Sequence, residues 1–507
     1  MKKICICILS ILTVLNIQLA WAGTDDSGLQ VFTVDFSKQL GESADVVQED
    51  TLLSPYCYNL FSSGNGLCSF PQPKGSGYEW TGAGVDIVDS SFGDAIVRAD
   101  NGSASDIFSH INPSYAAPSM GARVLLTAAG STSDNSELFA FQNGSTAAVF
   151  VGSKIITITG NHFAPTTTEV ALPSGTGRSA AIWQNRFFYS YSNYIYYSAP
   201  QDFFNFTSSS TAGGVIRLYE DTSILKIVST KYGLYVFASS GIWLLSGSSK
   251  NAWSLDKISN ILLPDFDMVT VYNDVVYFKD FRSQGQKIWS ISGVTVSLFA
   301  EVPYKIALAH QMRFVNSGKF LILASPTTNG TGYVYDVARK TFFETSEYNG
   351  LGSNWYFLKR TSTGYKIYEL PLGEVFTNEY DGTTGYYVPV LYPWAYQTAW
   401  TTLDGNSGTR KEIDRIEIDY QGGTTSVVLY YTYGNGSFSY GTTTLTAPTN
   451  SRMTTYTWNA PIGRQQSNRF SLYFLSSGTQ TMTINYILKQ ARIYYRNIGN
   501  YKNNNLR

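Results

Sequence analysis

The chain has little charge, and what charge it has is unevenly placed. Only 14% of its 507 residues are Asp, Glu, Lys or Arg, and the formal net charge is -1. This balance excludes bulk binding of a polyanion by the chain as a whole. Residues 23–100 are nevertheless acidic, and the chain is basic after Asp419, the last acidic residue. Two solvated faces explain such an asymmetry without any ligand.

Residues that usually build catalytic and metal sites are also scarce. The three histidines, His110, His162 and His310, are isolated, and there is no HExxH and no Cys-His cluster for zinc. No GxSxG elbow, P-loop or GxGxxG turn is present. An acid pair, Asp265 and Asp267, would suit a glycosidase, but acids are common in loops at strand ends. The sequence predicts no catalytic residue, no metal site, no cofactor and no enzymatic activity.

A short acidic segment, residues 404–408 (DGNSG), loosely resembles a calcium loop. It lacks the ligand spacing of such a loop and its terminal Glu. We therefore expect a turn here rather than a cation site.

Long apolar runs are absent apart from one at the N-terminus. Lys2 and Lys3 precede an apolar run over residues 4–19, and a small-x-small pattern ends at Ala22. This pattern is typical of an export signal cleaved between Ala22 and Gly23. A retained N-terminal helix and a different start of translation are the alternatives.

Cysteine is limited to four residues, of which two lie inside the signal-like segment. Cleavage would leave Cys57 and Cys68, which an oxidising compartment would allow to form a disulfide. Two unpaired thiols packed as small apolar side chains are an equally good interpretation.

Aromatic residues and glycine are abundant, with 37 Tyr, 44 Gly and 15% aromatics in total. They form short apolar runs that begin after turns near residues 153, 193, 232, 273, 317 and 353. The spacing of about 40 residues is that of a four-stranded propeller blade. Residues 333–344 (YVYDVARKTFFE) alternate as a hairpin does, and helical periods are almost absent. The sequence predicts an all-β chain with propeller-like repeats, a stacked sandwich being the alternative.

Four regions follow from these patterns. We expect a signal-like segment over residues 1–22, an arm with the first strands over 23–146, and propeller-like repeats over 147–385. Residues 386–507 hold further strands joined by Gly-rich turns, which predict a C-terminal antiparallel β-sandwich with a basic tail.

The tail, residues 488–507, interleaves tyrosines with Lys489, Arg492, Arg496, Lys502 and Arg507. This composition suits a surface that follows phosphates or stacks on bases. It equally suits an edge strand and a frayed polar terminus. We favour the second interpretation, with subunit contact as its function if it has one.

Residues 183–247 contain two ordered motifs. The first runs W-x-x-R-x-x-Y-S and then S-x-x-x-D-x-x-N-F, and the second ends a strand in IWLLSG. Their members are Trp183, Arg186, Tyr189, Ser190, Ser198, Asp202, Asn205, Phe206, Ile242, Trp243, Leu244, Leu245 and Gly247. With the strands at 397–404 and 415–420 and the API-GR-x(4)-RF segment at 460–470, this order resembles the tail nozzle, or packaged-DNA stabilisation, proteins of short-tailed bacteriophages.

The resemblance implies a structural virion protein, part of the head-to-tail connector. Six subunits would form a ring below the portal and adaptor, continue the DNA channel, and help to retain and eject the genome. The partners would be portal and adaptor proteins and tail fibres or spikes, and DNA would pass through the lumen without sequence-specific binding. Such a role depends on large subunit interfaces and needs no nucleophile.

The export signal conflicts with this resemblance because virions assemble in the cytoplasm. An exported β-propeller that binds glycans or a surface partner through its aromatic loops, in the periplasm or outside the cell, is therefore the alternative. A secreted propeller hydrolase is a third class. No membrane span is expected in the mature chain under any of the three.

Overall fold

The computed structural model describes the strands between residues 29 and 127, most of residues 136–302 and, with gaps, the strands and turns between 311 and 500. Residues 1–28, 370–389 and 501–507 lie outside this part. The described residues are almost entirely β, as the sequence predicted, and their one helical element is a 3-10 turn at Lys250–Ala252. Within the same residues, no helix has both the length and the apolar character needed to cross a membrane.

The chain divides into two compact units, each made of segments distant in sequence. One comprises Met1–Gly41, Val46–Ser69 and Val388–Arg507, and the other Glu42–Asp45 and Phe70–Tyr387. The propeller thus starts well before residue 147, and the N-terminal region supplies strands to both units. The predicted boundary at 146/147 differs because a complete four-stranded sheet lies within residues 85–127 and because several earlier strands have partners hundreds of residues away, which local patterns do not reveal.

Six short strands come first: β1 (Gln30–Asp35), β2 (Leu40–Glu42), β3 (Leu53–Ser54), β4 (Tyr56–Tyr58), β5 (Leu60–Ser63) and β6 (Gly66–Ser69). The strand β7 (Lys74–Thr81) follows.

Seven four-stranded antiparallel blades then follow in the described part of the second unit. Blade 1 is β8 (Val85–Asp89), β9 (Ala95–Asp100), β10 (Ser105–Ile111) and β11 (Ala122–Thr127); blade 2 is β12 (Phe139–Asn143), β13 (Thr146–Phe150), β14 (Lys154–Asn161) and β15 (Ala164–Ala171). Blade 3 is β16 (Ala180–Trp183), β17 (Arg186–Tyr191), β18 (Tyr194–Tyr197) and β19 (Gly214–Arg217); blade 4 is β20 (Ile224–Thr230), β21 (Gly233–Ala238), β22 (Gly241–Ser246) and β23 (Ser254–Ser259). Blade 5 is β24 (Val269–Tyr272), β25 (Val275–Lys279), β26 (Lys287–Ser292) and β27 (Thr295–Glu301); blade 6 is β28 (Gln311–Val315), β29 (Phe320–Ala324), β30 (Gly332–Asp336) and β31 (Thr341–Thr345). Blade 7 joins β32 (Gly350–Gly352), β33 (Tyr356–Arg360) and β34 (Gly364–Glu369) to β7.

The early strand β7 closes the ring. It pairs with β34, so that Glu79 lies opposite Lys366 and Trp80 opposite Tyr365, and β8 packs against β32 and β33. Blade 7 therefore contains both ends of the propeller segment. The Pro- and Gly-rich residues 69–77 include the start of this strand at Lys74, because β34 provides an edge for pairing.

Apolar cores lie between neighbouring blades. Phe141 and Phe150 of blade 2 pack with Phe187 and Tyr189 of blade 3, and similar clusters join blades 1 and 2 and each consecutive pair from 3 to 6. Blades 2 to 5 are thus covered on both faces, which explains their nearly continuous apolar runs. The hairpin predicted at 333–344 is confirmed as β30 and β31.

The runs on which the predicted repeat was based do not all begin the same strand of a blade. The runs after residues 153 and 193 begin third strands, β14 and β18, whereas those after 232, 273, 317 and 353 begin second strands. All blade strands are short aromatic runs that follow a turn, so the period alone does not fix which strand is counted. The connection between β18 and β19 is long, and this keeps the spacing near 40 residues although the run counted changes from a third strand to a second strand.

The first unit is an antiparallel sandwich. Its later strands are β35 (Val390–Leu391), β36 (Ala395–Gln397), β37 (Thr409–Gln421), β38 (Thr425–Tyr433), β39 (Gly436–Leu445), β40 (Thr454–Asn459), β41 (Phe470–Ser476), β42 (Gln480–Thr481) and β43 (Ile487–Asn500). One sheet has the order β40-β37-β43-β6-β5 with β1 beside β43, and the other runs β4-β36-β41-β38-β39. Phe36, just after β1, meets the rings of Tyr396 and Phe474 edge-on at 5.7 and 5.5 Å, which joins the two sheets.

Candidate functional site

The first half of the phage-like motif folds the loop after β18 onto blade 3. The Arg186 guanidinium donates a hydrogen bond to the Ser198 carbonyl oxygen at 2.7 Å. The Ser198 hydroxyl accepts one from the Phe187 amide at 2.9 Å and donates to the Ala199 carbonyl. Residues at the two ends of the motif are thereby tied to each other, and the chain leaves β18 in one fixed direction.

An aromatic cluster surrounds Arg186. Its Cζ atom lies 5.6 Å from the Tyr197 ring centroid and 5.8 Å from that of Trp253, within the range of cation-π attraction. Trp183 lies against Trp253 at 5.5 Å. Burial lowers the pKa of Arg186 from its usual value, while Tyr197 acts in the opposite direction. This arginine is a structural cation held between blades 3 and 4.

The turn between β16 and β17 links the two blades. Gln184 and Asn185 both have positive φ, 49° and 53°, as a two-residue hairpin of the primed type requires. The Gln184 amide accepts a hydrogen bond from Trp253 Nε1 at 2.9 Å and donates to the Gly247 carbonyl oxygen. Sequence reasoning missed both Gln184 and Trp253, since neither belongs to a recognisable pattern.

Asp202, Asn205 and Phe206 shape the loop itself. The Asn205 carbonyl accepts the Ala199 amide at 2.7 Å, and the Asn205 side-chain oxygen accepts the Thr207 amide at 3.0 Å. The Asp202 carbonyl oxygen accepts a hydrogen bond from the Asn205 amide, and Asp202 is exposed to solvent. Phe206 meets Tyr189 edge-on at 5.5 Å. These residues close a turn and cover the junction of blades 2 and 3.

The second half of the motif lies in blade 4. Trp243 is buried in the core between blades 3 and 4, with the Lys257 ammonium 5.6 Å from its ring centroid. Gly247 ends the strand at a φ of +126°, where a Cβ atom would stand 2.3 Å from the Ala252 carbonyl oxygen. Only glycine, which has no Cβ atom, fits so close to this carbonyl oxygen. The motif as a whole is therefore a packing unit across blades 2, 3 and 4.

Blades 2, 3 and 4 also share a polar cluster at the start of their first strands. The Glu137 carboxylate forms an ion pair with Lys226 and accepts a hydrogen bond from the Ser179 hydroxyl at 2.5 Å. The Ser179 hydroxyl also accepts the Ile227 amide at 3.1 Å. Glu137 and Lys226 are mostly buried, with side-chain exposures of 16% and 10%. One carboxylate thus connects three blades.

The basic tail begins as an internal strand. Residues 487–495 of β43 pair with β37 on one side and with β1 and β6 on the other, whereas residues 496–500 pair with β37 alone among the described strands. The expected edge strand is therefore wrong for residues 487–495, because the N-terminal strands occupy their second side. Lys489 and Arg496 are exposed, and Lys502 and Arg507 lie outside the described residues.

The Arg492 side chain forms ion pairs with two carboxylates. Its guanidinium donates to Glu417 and to both oxygens of Asp419 at 3.0 to 3.1 Å. Arg415 stacks 3.8 Å above the Tyr494 ring, and the Tyr494 hydroxyl donates to Glu417. This paired arrangement leaves Arg492 poorly suited to following a phosphate backbone.

The segment 404–408 folds as a turn, with Asn406 N donating to Asp404 Oδ1 at 2.8 Å and Gly408 N to Asn406 Oδ1 at 2.9 Å. The ammonium of Lys411, which is fully buried, lies 2.6 Å from Asp404 Oδ1 and donates to the Asn406 carbonyl. A lysine thus occupies the position between carboxylate and carbonyl oxygens that a bound cation would need.

The remaining sequence candidates have side chains outside the described part of the chain. Cys57 lies on β4 and Cys68 on β6, in different sheets of the sandwich, and their side chains fall outside the description. Ala22, Gly23, His162, His310, Asp265 and Asp267 lie outside it altogether, as does the His110 side chain on β10. Among described side chains, no group of three His, Cys, Asp or Glu could hold a metal ion.

No protein-family model and no curated protein matches this sequence. Among solved structures, a chain of the mitotic checkpoint complex is similar with a TM-score of 0.38 and 9% identity, over 59% of this chain and 92% of that one. The C-terminal WD40 domain of Sif2 gives 0.34 and 10%, over 60% and 99%. The extracellular domain of a putative one-component system from B. thetaiotaomicron gives 0.37 and 11%, over 59% and 40%. Similarity at this level carries no functional information.

Proposed function

We propose that this chain is a binding protein without catalytic activity, and that its propeller presents loops to a glycan or protein partner on a surface. The observation behind this proposal is the closed ring of blades, in which buried polar residues bind other parts of the ring. Arg186 holds the loop after β18, and Glu137 holds three blades together. These residues make a rigid support, and rigid supports with loops at their rims are common binding scaffolds.

Export is part of this proposal, because residues 1–22 have the pattern of a cleaved signal. N-terminal sequencing of the native protein tests it together with cell fractionation. We expect Gly23 as the first residue, in protein recovered from the periplasm or the medium. An intact Met1 in cytoplasmic protein would contradict export.

A second candidate is the tail-nozzle subunit that the resemblance implies. The observation that favours it is that the resembling residues form one continuous packing unit, from Arg186 and Ser198 through Trp243 to Gly247, rather than scattered matches. A shared packing unit is what a distant relative retains when its surfaces diverge.

Native mass spectrometry and virion purification separate the two candidates. A nozzle subunit should assemble into a hexamer of roughly 340 kDa, six times 56.1 kDa, and copurify with phage particles. A surface-binding protein should remain with cells or medium and bind intact cells or their glycans. Recovery of the hexamer in virions would overturn the export proposal.

A further inference from the structure

One side of the sandwich ends in two strands that have an unpaired edge. β39 is the last strand of one sheet and β40 the last strand of the other, and among the described strands each has a single partner, β38 and β37 respectively. A hydrogen bond of 2.9 Å between the Thr443 and Tyr456 hydroxyls joins the two strands. Their unpaired edges therefore lie on the same side of the sandwich.

The sequence of these two strands is free of charge. Residues 420–451, which include β39, contain no Asp, Glu, Lys or Arg, and neither does β40. Exposed edge strands of soluble proteins commonly carry charged residues or proline, which hinder pairing with another chain. The outer strands of blades 2 to 5 follow this rule and include Glu169, Arg217, Asp256 and Glu301, respectively. β39 and β40 carry neither charge nor proline.

A second copy of this chain is the partner that such an edge fits. A strand that pairs antiparallel with its own copy does so about a two-fold axis, so the contact uses the same surface twice and is closed. Any charge on the edge would then stand close to a like charge of the second copy, and the absence of charge removes that repulsion. A partner of opposite charge would find no charge on these strands to complement.

The ladder between β38 and β39 limits where two copies can pair. An extra residue, Tyr440, shifts the register, so that residues 441–445 form one unbroken stretch. Thr442 and Thr444 are exposed, whereas the Thr443 side chain is directed to the other sheet, where it meets Tyr456. Two-fold pairing of this stretch places Thr443 at its centre and Thr442 opposite Thr444 of the second copy.

We propose that the chain forms a two-fold dimer in which residues 441–445 of β39 pair antiparallel with the same residues of a second copy. One sheet of the sandwich then continues from one copy into the other. At about 3.4 Å per residue the paired stretch is only about 17 Å long, and stable interfaces bury about 1,200–2,000 Å². So short a contact predicts a reversible dimer whose population rises with protein concentration. The dimer is independent of the proposed function and would give a binding protein two propellers and a higher avidity.

Sedimentation velocity of the native protein over a range of concentrations tests the dimer, and we expect a monomer–dimer equilibrium. The double variant Thr442→Lys/Thr444→Lys places like charges opposite each other across the pair and should weaken dimerisation at least about tenfold. In Thr442→Glu/Thr444→Lys the same positions carry opposite charges, so dimerisation should persist. Thr33→Lys is the matched control, since Thr33 is exposed on β1, beside β43 and away from β40, and it should leave the equilibrium unchanged.

Hydrogen exchange gives a second measurement. The amides of residues 441–445 that are directed away from β38 should be protected at high protein concentration and exchange freely at low concentration or in Thr442→Lys/Thr444→Lys. Unfolding followed by circular dichroism checks that each variant keeps its fold.

Four results would overturn the proposal. The first is a native protein that stays monomeric at its highest soluble concentration, and the second is an oligomer that Thr442→Lys/Thr444→Lys leaves intact. The third is equal weakening of the dimer by the Lys/Lys and the Glu/Lys variants, which would exclude this register. The fourth is protection of the same amides in the monomer, which would mean that a segment of the same chain covers the edge of β39.

Discussion

Several glycines of the propeller lie in direct contact with a tyrosine side chain. A Cβ atom on Gly175, Gly214 or Gly318 would stand 2.1 to 2.4 Å from the ring or hydroxyl of Tyr191, Tyr197 or Tyr272. Tyrosine rings therefore lie directly on glycine backbone at several turns. These contacts use the two residue types that are abundant in the sequence.

Gly318→Ala should destabilise the propeller by about 2–4 kcal/mol, because the new methyl group would meet the Tyr272 ring at 2.2 Å and φ is +80°. Chemical denaturation measures the change. Gly144→Ala is the control, since Gly144 has a φ of +60° in the corresponding turn of blade 2 but nothing within 4 Å of its Cβ position. It should cost only about 1 kcal/mol. Equal effects of the two variants would show that the ring contact contributes nothing.

Arg186→Met should destabilise by about 2–4 kcal/mol, since it removes the 2.7 Å hydrogen bond to Ser198 and the contacts with two aromatic rings. Equilibrium unfolding gives the value. In a double-mutant cycle with Trp253→Leu we expect coupling of about 0.5–2 kcal/mol. Additive effects would mean that the cation-π contact with Trp253 is not significant.

The strand pair β37 and β43 of the sandwich carries a ladder of charged side chains. Burial works to raise the pKa of Glu417 and of Asp419, but hydrogen bonds from Arg492 and neighbouring polar groups outweigh it and hold both below their usual range. Both carboxylates therefore stabilise the folded state in their ionised form.

The sandwich should accordingly lose stability in acid. With the folded-state pKa below the unfolded value of about 4, the contribution is complete above that value and is lost as pH falls through the folded pKa. Unfolding between pH 7 and 2 should show this decline. Arg492→Gln should cost about 1–3 kcal/mol at pH 7 and flatten the decline. Arg496→Gln, on the same strand but exposed, should do neither; an unchanged pH profile for Arg492→Gln would contradict the assignment.

For the molecule as a whole, closure of the ring depends on one outer strand. β7 is nearly 300 residues from its partner β34, so the last blade is complete only after the propeller segment has been made. The sandwich depends on distant pairing in the same way, because β1 lies against β43.

Proline at Glu79 or Trp80 tests this closure. Neighbouring residues of an antiparallel outer strand direct their N–H groups alternately toward the partner and toward solvent. One of Glu79→Pro and Trp80→Pro should therefore cost about 3 kcal/mol or more, and the other much less. Hydrogen exchange should then show opening of blades 7 and 1. Alanine at the same positions controls for the side chains, and protection unchanged in both proline variants would exclude a closing role for β7.

The sequence by itself determined the all-β class, the four-stranded repeat, the hairpin at 333–344 and the strand content of the C-terminal region. These follow from alternation and turn residues, which act within a few positions along the chain. Only the tertiary structure decided the number of blades in the described part, the closing role of β7 and the internal position of β43. It also decided that Arg186 and Glu137 hold neighbouring blades together. Those features depend on pairing and charge balance between residues far apart in sequence, where local patterns carry no information.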